Sequence, residues 1–417
     1  MTHGIVVVGG GFAGLWSAAA ASRLRDDLGL SDAIPITLVS PDPLHVVRVR
    51  CYEADLAPVG IPLDDVLGPI GVRRIEGRVT AIDADARRIA VQPRTGSAFA
   101  LPYDRLILAA GSALVRPPVP GADAAFDVDT LDGARALARH LDGLAAGAVG
   151  RGAAGRWSAV VIGAGLVGIE IACELPARLA AARARAGATG PVDVILLDRG
   201  PEVGATMGGA AMPAVRAALA AAGVTGRAGA GVSGIDAAGI TLDDGTRIPA
   251  LTVVCATGMR ASPLAASLGV PCDALGRVPV DARMRVTGLP GVFAAGDAAS
   301  AVADAAGHHT VMSCQHARPM GRFAGHNALC DRAGRPDLLL DFSAPDYVTV
   351  LDLGAWGAVY TAGWERDRLV SAGADAKATK RVINGTRIVP PTGDPAAILA
   401  AAAPVIQSAP AAAPPGR

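Results

Sequence analysis

The stretch GIVVVGGGFAGLWSAAA, residues 4–20, decides how the rest of the chain is read. Ile5–Val8 reads as a fully buried strand of a parallel sheet, because its side chains are apolar on both faces. Gly9, Gly11 and Gly14 then fit G-x-G-x-x-G, and Phe12–Arg25 reads as the helix behind it. Each glycine has a task. Gly9 permits the tight turn, Gly11 lets backbone approach a pyrophosphate, and Gly14 lets the helix pack closely on the strand. The pyrophosphate would sit on the positive end of the helix. Phe12 and Ala13, inside the turn, join the expected binding residues. Ile36–Val39 reads as the next strand. Ser40 stands at its end, where a ribose-binding acid is usual, with Asp42 close by.

A second fingerprint follows. Trp157–Ile162 reads as a strand and runs into GAGLVGIEIACEL, with Gly163, Gly165 and Gly168 in the same pattern. The strand Val192–Leu197 ends in Asp198. An acid there accepts bonds from a free ribose 2′-hydroxyl and repels a 2′-phosphate, which favours NADH over NADPH. Arg199, next to it, keeps NADPH open.

Composition limits the alternatives. Lys+Arg and Asp+Glu are both 38 among 417 residues, so no basic excess argues for nucleic acid. No apolar stretch approaches the roughly 20 residues of a membrane span. The N-terminal apolar run lacks a cationic leader and reads as a strand, not a signal peptide. The six cysteines show neither C-x-x-C nor zinc spacing, so no metal site is expected. Reduced thiols and a cytoplasmic location are the expectation.

YDRLILAAGS at 103–112, TVVCATG at 252–258 and VFAAGDA at 292–298 complete an ordered set with the two glycine loops. Over residues 4–330 this order resembles the two-dinucleotide-binding flavoproteins of the pyridine nucleotide-disulfide oxidoreductase superfamily. The resemblance implies an α/β fold with two Rossmann-like three-layer domains, the second inserted in the first, and a small C-terminal α+β domain. It implies FAD on the first loop, with Ala110, Gly111, Gly258, Gly296 and Asp297 in the cofactor turns. It places the nicotinamide dinucleotide on the second loop, with Glu170 near the nicotinamide end.

The segments LVSPDPLHVVRVRCYE (38–53) and GRFAGHNA (321–328) resemble type II NADH:quinone oxidoreductases more closely. Two departures matter. Cys51 has no partner five residues away, so the redox disulfide of the disulfide reductases is missing. In SCQHARPMG (313–321), Gln315 matches the first glutamine of the family's quinone segment, but Pro319 stands at the second. Gln315 and His316 are therefore expected on the acceptor side.

The expected boundaries are 1–127 with 285–340 for the FAD domain and 128–284 for the NADH domain. The C-terminal domain spans 341–390, and 391–417 reads as a disordered Ala/Pro tail. HLDGLAAGAVGRGAAGR (140–156) reads as the flexible crossing into the NADH domain, and 275–290 as the return. Lys377, Lys380 and Arg381 read as a solvated helix face, and Trp356, Tyr360 and Trp364 as the core of a small sheet. The expected reaction carries hydride from NADH to flavin and on to a quinone or similar small-molecule acceptor. A flavin enzyme acting on one metabolite, or a redox-sensing or electron-carrier flavoprotein, stays open. No peripheral membrane contact is expected, and a homodimer is possible.

Overall fold

A computed structural model describes residues 3–411. Its largest sheet has seven strands in the order Val292–Ala294, Arg105–Leu108, Ile5–Val8, Ile36–Ser40, Arg73–Asp83, Arg88–Pro93, Phe99–Pro102. The first five are parallel, and the last two add an antiparallel edge. Ile5–Val8 lies at the centre and is wholly buried, as its unbroken apolar sequence requires. A second sheet is all parallel, in the order Val224–Arg227, Asp193–Leu197, Ser158–Ile162, Thr252–Cys255. Both sheets follow from the two glycine fingerprints, and the α/β class is as expected.

The helix behind the first loop, Phe12–Asp27, packs against the long helix Cys314–Ala333. Glycine sets their separation. A Cβ at Gly321 would collide with the Ala13 carbonyl, and one at Gly325 with the Ser17 carbonyl. The two helices therefore meet backbone to backbone, one turn in register with the next. Gly296 fits against Ala13 and Ala317 at the head of the same seam.

The domain crossings differ from expectation. Residues 131–146 form a helix capped by Thr130, whose hydroxyl accepts from the Gly133 amide at 3.0 Å. Its Leu137, Leu141 and Leu144 are buried, so residues 140–146 of the expected crossing belong to the second core, while 147–156 form turns and loop. The chain crosses at Ser112–Leu114 and returns at Met259–Ala261, and these two segments pair antiparallel. Phe126 already bridges to Val254 of the second sheet. Ala265, Leu268, Val278 and Met284 pack into the first core, so the return lies well before 275–290. The Gly/Ala composition misled here because alanine also builds helices.

The third unit is an antiparallel sheet, Val348–Asp352, Ala358–Ala362 and Arg368–Gly373, with the helix Ala374–Val382 across it. Leu351, Leu353 and Val359 join the second core. Tyr360 is buried in the small sheet, as expected, but Trp364 is not a core residue. It stacks instead with His308, Tyr347 and His316. The expected tail is partly structured. Asp394 caps the helix Pro395–Ala401, and its Ile398 is buried in the first core. Of the expected disordered tail, residues 412–417 lie outside the described residues. No helix among the described residues is long and apolar enough to cross a membrane.

Gly325→Ala tests the helix seam. It should destabilise the protein by about 1–3 kcal/mol, the usual effect of forcing atoms into a filled contact. Gly209→Ala, with open space at its Cβ, should change chemical denaturation little.

Candidate functional site

The two glycine loops repeat one geometry. Gly9 has φ +113° and Gly163 φ +102°, a region L-residues avoid. A Cβ at Gly9 would collide with the Ala109 carbonyl, and one at Gly163 would crowd the Ala256 carbonyl at 2.5 Å. A Cβ at Gly14 or Gly168 would collide with the carbonyl of Gly9 or Gly163. Gly11 and Gly165 differ from these four, since nothing lies within 4 Å of a Cβ built on either. Each is the N-cap of its helix, and no side chain caps the free amides behind it. Unsatisfied amides on the positive end of a helix, with open space before them, fit a pyrophosphate. Both loops therefore fit a dinucleotide.

Around the first loop, Phe12 meets the His45 ring edge-on at 4.7 Å. His45 Nδ1 lies 3.1 Å from the Gly10 carbonyl, and its Nε2 is buried without a partner among the described residues. Burial pulls its pKa down to about 4. Ser40 is buried against Gly10, and its hydroxyl accepts from the Asp42 amide at 3.3 Å. Ala110 and Gly111 follow the strand Arg105–Leu108, and Gly111 (φ +68°) accepts from the Ser262 amide. Gly258 (φ +102°) accepts from the Val115 amide, so the two turns face each other across the domain crossing.

Asp297 sits in this junction. Its Oδ2 accepts from the Ser112 hydroxyl at 2.6 Å and lies 3.7 Å from Arg48 Nη1. Burial pushes its carboxyl upward, and Ser112 and Arg48 oppose that. Arg48 is held in turn by Asp129, Ser112 and the Met259 sulfur. It thus ties the first-loop domain to the segment entering the second. The sequence reading missed Arg48 and Asp129, which stand 81 positions apart and carry no motif.

Asp198 lies half-buried at the end of its strand. Its carboxylate accepts from the Gly200 amide at 2.8 Å and the Gly204 amide at 3.2 Å. It shapes the following loop and still offers lone pairs outward.

Glu170 is buried, and its Oε1 accepts from Lys380 Nζ at 2.8 Å and from the Asp352 amide at 3.1 Å. Burial pushes its pKa up, against the pull of Lys380. The expected solvated face is corrected here for Lys377 and Lys380, while Arg381 is exposed. Lys380 is buried in this pair, and Lys377 bonds Asp352, which also accepts from Tyr52 at 3.0 Å. A polar cavity of about 260 Å³ opens beside the pair, lined by Arg50, Glu53, Glu174 and Lys377. Lysines on a short amphipathic helix usually face water. Only the fold shows that an acid 210 positions away waits for this one.

On the acceptor side, Ser313 caps the helix that begins at Cys314. Gln315 donates to the Asp346 carbonyl at 3.0 Å, tying this helix to the third unit. His316 Nδ1 accepts from the Val311 amide at 2.9 Å, and its Nε2 is buried without a partner among the described residues. Burial pulls its pKa to about 4, so it is neutral at pH 7. Cys51 is buried and its thiol pushed up to about 12, with no disulfide among the described residues. Disulfide exchange, which needs a thiolate, has no support here.

Comparison with known proteins gives the family. Residues 3–321 match the pyridine nucleotide-disulphide oxidoreductase family. An NADH dehydrogenase-like protein of Mycobacterium tuberculosis is 52% identical over 97% of this chain and 99% of its own length. A type II NADH:quinone oxidoreductase of the same organism is 33% identical over 71% of this chain and 66% of its own. NDH2 from Plasmodium falciparum, solved in complex with NADH, superposes with a TM-score of 0.76 over 93% of this chain and 95% of that one, at 11% identity. The likeness to that structure is one of fold. The chain belongs to the pyridine nucleotide-disulphide oxidoreductase family and is an NADH dehydrogenase-like oxidoreductase with FAD and NADH as cofactors.

Lys380→Met should destabilise the protein by about 3–5 kcal/mol, because it leaves the Glu170 carboxyl buried without its cation. Adding Glu170→Gln should restore most of that loss. Urea denaturation of the single and double variants measures the coupling.

Proposed function

We propose that this member of the pyridine nucleotide-disulphide oxidoreductase family passes reducing equivalents from NADH to a quinone or quinone-like small molecule. The observation that carries the reading is the repeated glycine turn, with φ +113° at Gly9 and +102° at Gly163, after the central parallel strands of two sheets that an antiparallel crossing joins. A flavin, when bound, supplies the redox chemistry: it accepts hydride from a nicotinamide and releases electrons to a second acceptor.

The chain's residues bind, orient and exclude water. Gly9, Gly11 and Gly14, with Phe12 and Ala13, would hold the FAD pyrophosphate at the end of the helix Phe12–Asp27. Asp297 would receive the sugar-alcohol hydroxyls, and Ser112 and Arg48 fix its direction. Gly163, Gly165 and Gly168 would hold the nicotinamide dinucleotide. Asp198, anchored by two amides, favours a free ribose hydroxyl and disfavours a phosphate. Glu170, fixed by Lys380, borders the nicotinamide end.

His316 and Gln315 are the acceptor-side residues of this reading. The Nδ1 of His316 accepts a backbone amide, so its Nε2 carries the ring proton and has a hydrogen bond to give. Tyr347 and Trp364 stack near-parallel to it at 5.7 Å, forming an aromatic wall suited to a planar acceptor. The similarity to a type II NADH:quinone oxidoreductase supports a quinone as that acceptor.

Steady-state assays with NADH and a water-soluble naphthoquinone test the reading. Saturable turnover is expected, and His316→Ala should raise the quinone KM about tenfold, a loss of about 1.4 kcal/mol. Absence of turnover with several soluble quinones would exclude a quinone acceptor.

A further inference from the structure

Most buried charges in this protein have a partner of opposite sign, as Lys380 has Glu170. Two do not. Arg318 and Arg322 lie one turn apart on the helix Cys314–Ala333, only 6% and 2% exposed. Both guanidinium groups lie over the ring of Trp16, at 5.6 and 4.5 Å from its centroid. Trp16 is itself 1% exposed. Among the described residues neither arginine forms an ion pair. Arg322 forms no hydrogen bond, and Arg318 has only Gln407 Oε1 at 3.0 Å. Among the described residues, the Nε atoms of both arginines and the indole Nε1 of Trp16 are buried donors without acceptors.

The surroundings add positive charge, and no Asp or Glu is among the groups that act on either arginine. Arg318 is acted on by the Cys314 thiol, which burial pushes up, and by Arg387, and Arg322 is acted on by Arg318. Burial and this repulsion pull both guanidinium groups down to about 10, which leaves them charged at pH 7. Two uncompensated buried cations, stacked on the same indole, are costly unless an anion joins them. The segment above them is lightly held. Val405, Ile406 and Gln407 are exposed, and the segment is tied by Gln407 to Arg318, by Ser408 to Arg387 and by Pro410 to Tyr360.

We propose that Arg318, Arg322 and Trp16 form a binding site for a phosphate group, covered by residues 405–410. Two fixed positive charges call for a dianion. Three buried N–H donors on neighbouring side chains call for an acceptor-rich group, and a phosphate presents several oxygens to guanidinium forks. A monoanion such as chloride would offset only one of the charges and accept from few of the donors. Gln407 occupies one Arg318 nitrogen when the site is empty and yields it to the phosphate. The site is built from residues the redox reading does not use.

The test uses FAD-loaded protein with saturating NAD, so that both glycine loops are filled before inorganic phosphate is added. The wild-type melting temperature should rise by about 3 °C at saturating phosphate. The shift should vanish in Arg318→Met/Arg322→Met, and Arg318→Lys, which keeps charge but loses the fork, should weaken phosphate binding about tenfold. If the double variant does not melt cooperatively, Arg318→Met alone serves. Co-sedimentation with phosphatidylcholine vesicles, with and without phosphatidic acid, separates the sources. Arginine-dependent sedimentation with phosphatidic acid assigns the phosphate to a lipid headgroup. A thermal shift without sedimentation assigns it to a free phosphorylated molecule. Neither effect, or equal effects in wild type and the arginine variants, would overturn the proposal.

Discussion

The structure depends on the absence of side chains at a few backbone contacts. A Cβ at Gly14 or Gly168 would meet a carbonyl of its own loop, so each helix can begin directly over its strand. Gly11 and Gly165 leave the space in front of the helix amides open. The same device continues along the seam where Gly321 and Gly325 meet Ala13 and Ser17. That seam brings the helix Cys314–Ala333 alongside Phe12–Asp27. It thereby sets Asp297, His316 and the first glycine turn in one neighbourhood. Interiors pack as tightly as organic crystals, so such contacts tolerate no extra carbon.

Charge then fixes the third unit onto the other two. Glu170 rises from the second-loop helix, Lys380 comes from the C-terminal helix, and Asp352 closes the group through its amide and Tyr52. Arg48 does the same between the first domain and the crossing segment, with Asp129 and Ser112. The first is buried and the second part-buried, and both are hydrogen-bonded networks, the kind that specify one arrangement once every member has a partner. The paired arginines over Trp16 stand out against this background.

Much of the fold was legible in the sequence because its signals are local. Gly9 to Gly14 and Gly163 to Gly168 each declare a turn, a helix start and a buried strand within a dozen residues. That Asp198 and Asp297 follow closely on strands was legible as well. What stayed hidden joins distant positions: Arg48 with Asp129, and Glu170 with Lys380. No spacing rule links such pairs, and a lysine on an amphipathic helix looks solvated until its partner is seen. Composition also misled. The first residues of the Gly/Ala stretch 140–156 complete a packed helix that ends at Ala146, and Asp394 caps a helix inside an Ala/Pro stretch that reads as disordered.

The central claim is that the two glycine turns hold two different dinucleotides that exchange a hydride. The direct test is an anaerobic titration of the purified yellow protein with NADH, and separately NADPH, following the flavin absorbance. The account predicts rapid bleaching by one equivalent of NADH and much slower bleaching by NADPH, as the Asp198 carboxylate dictates. A flavin-loaded protein that neither nucleotide bleaches would contradict it.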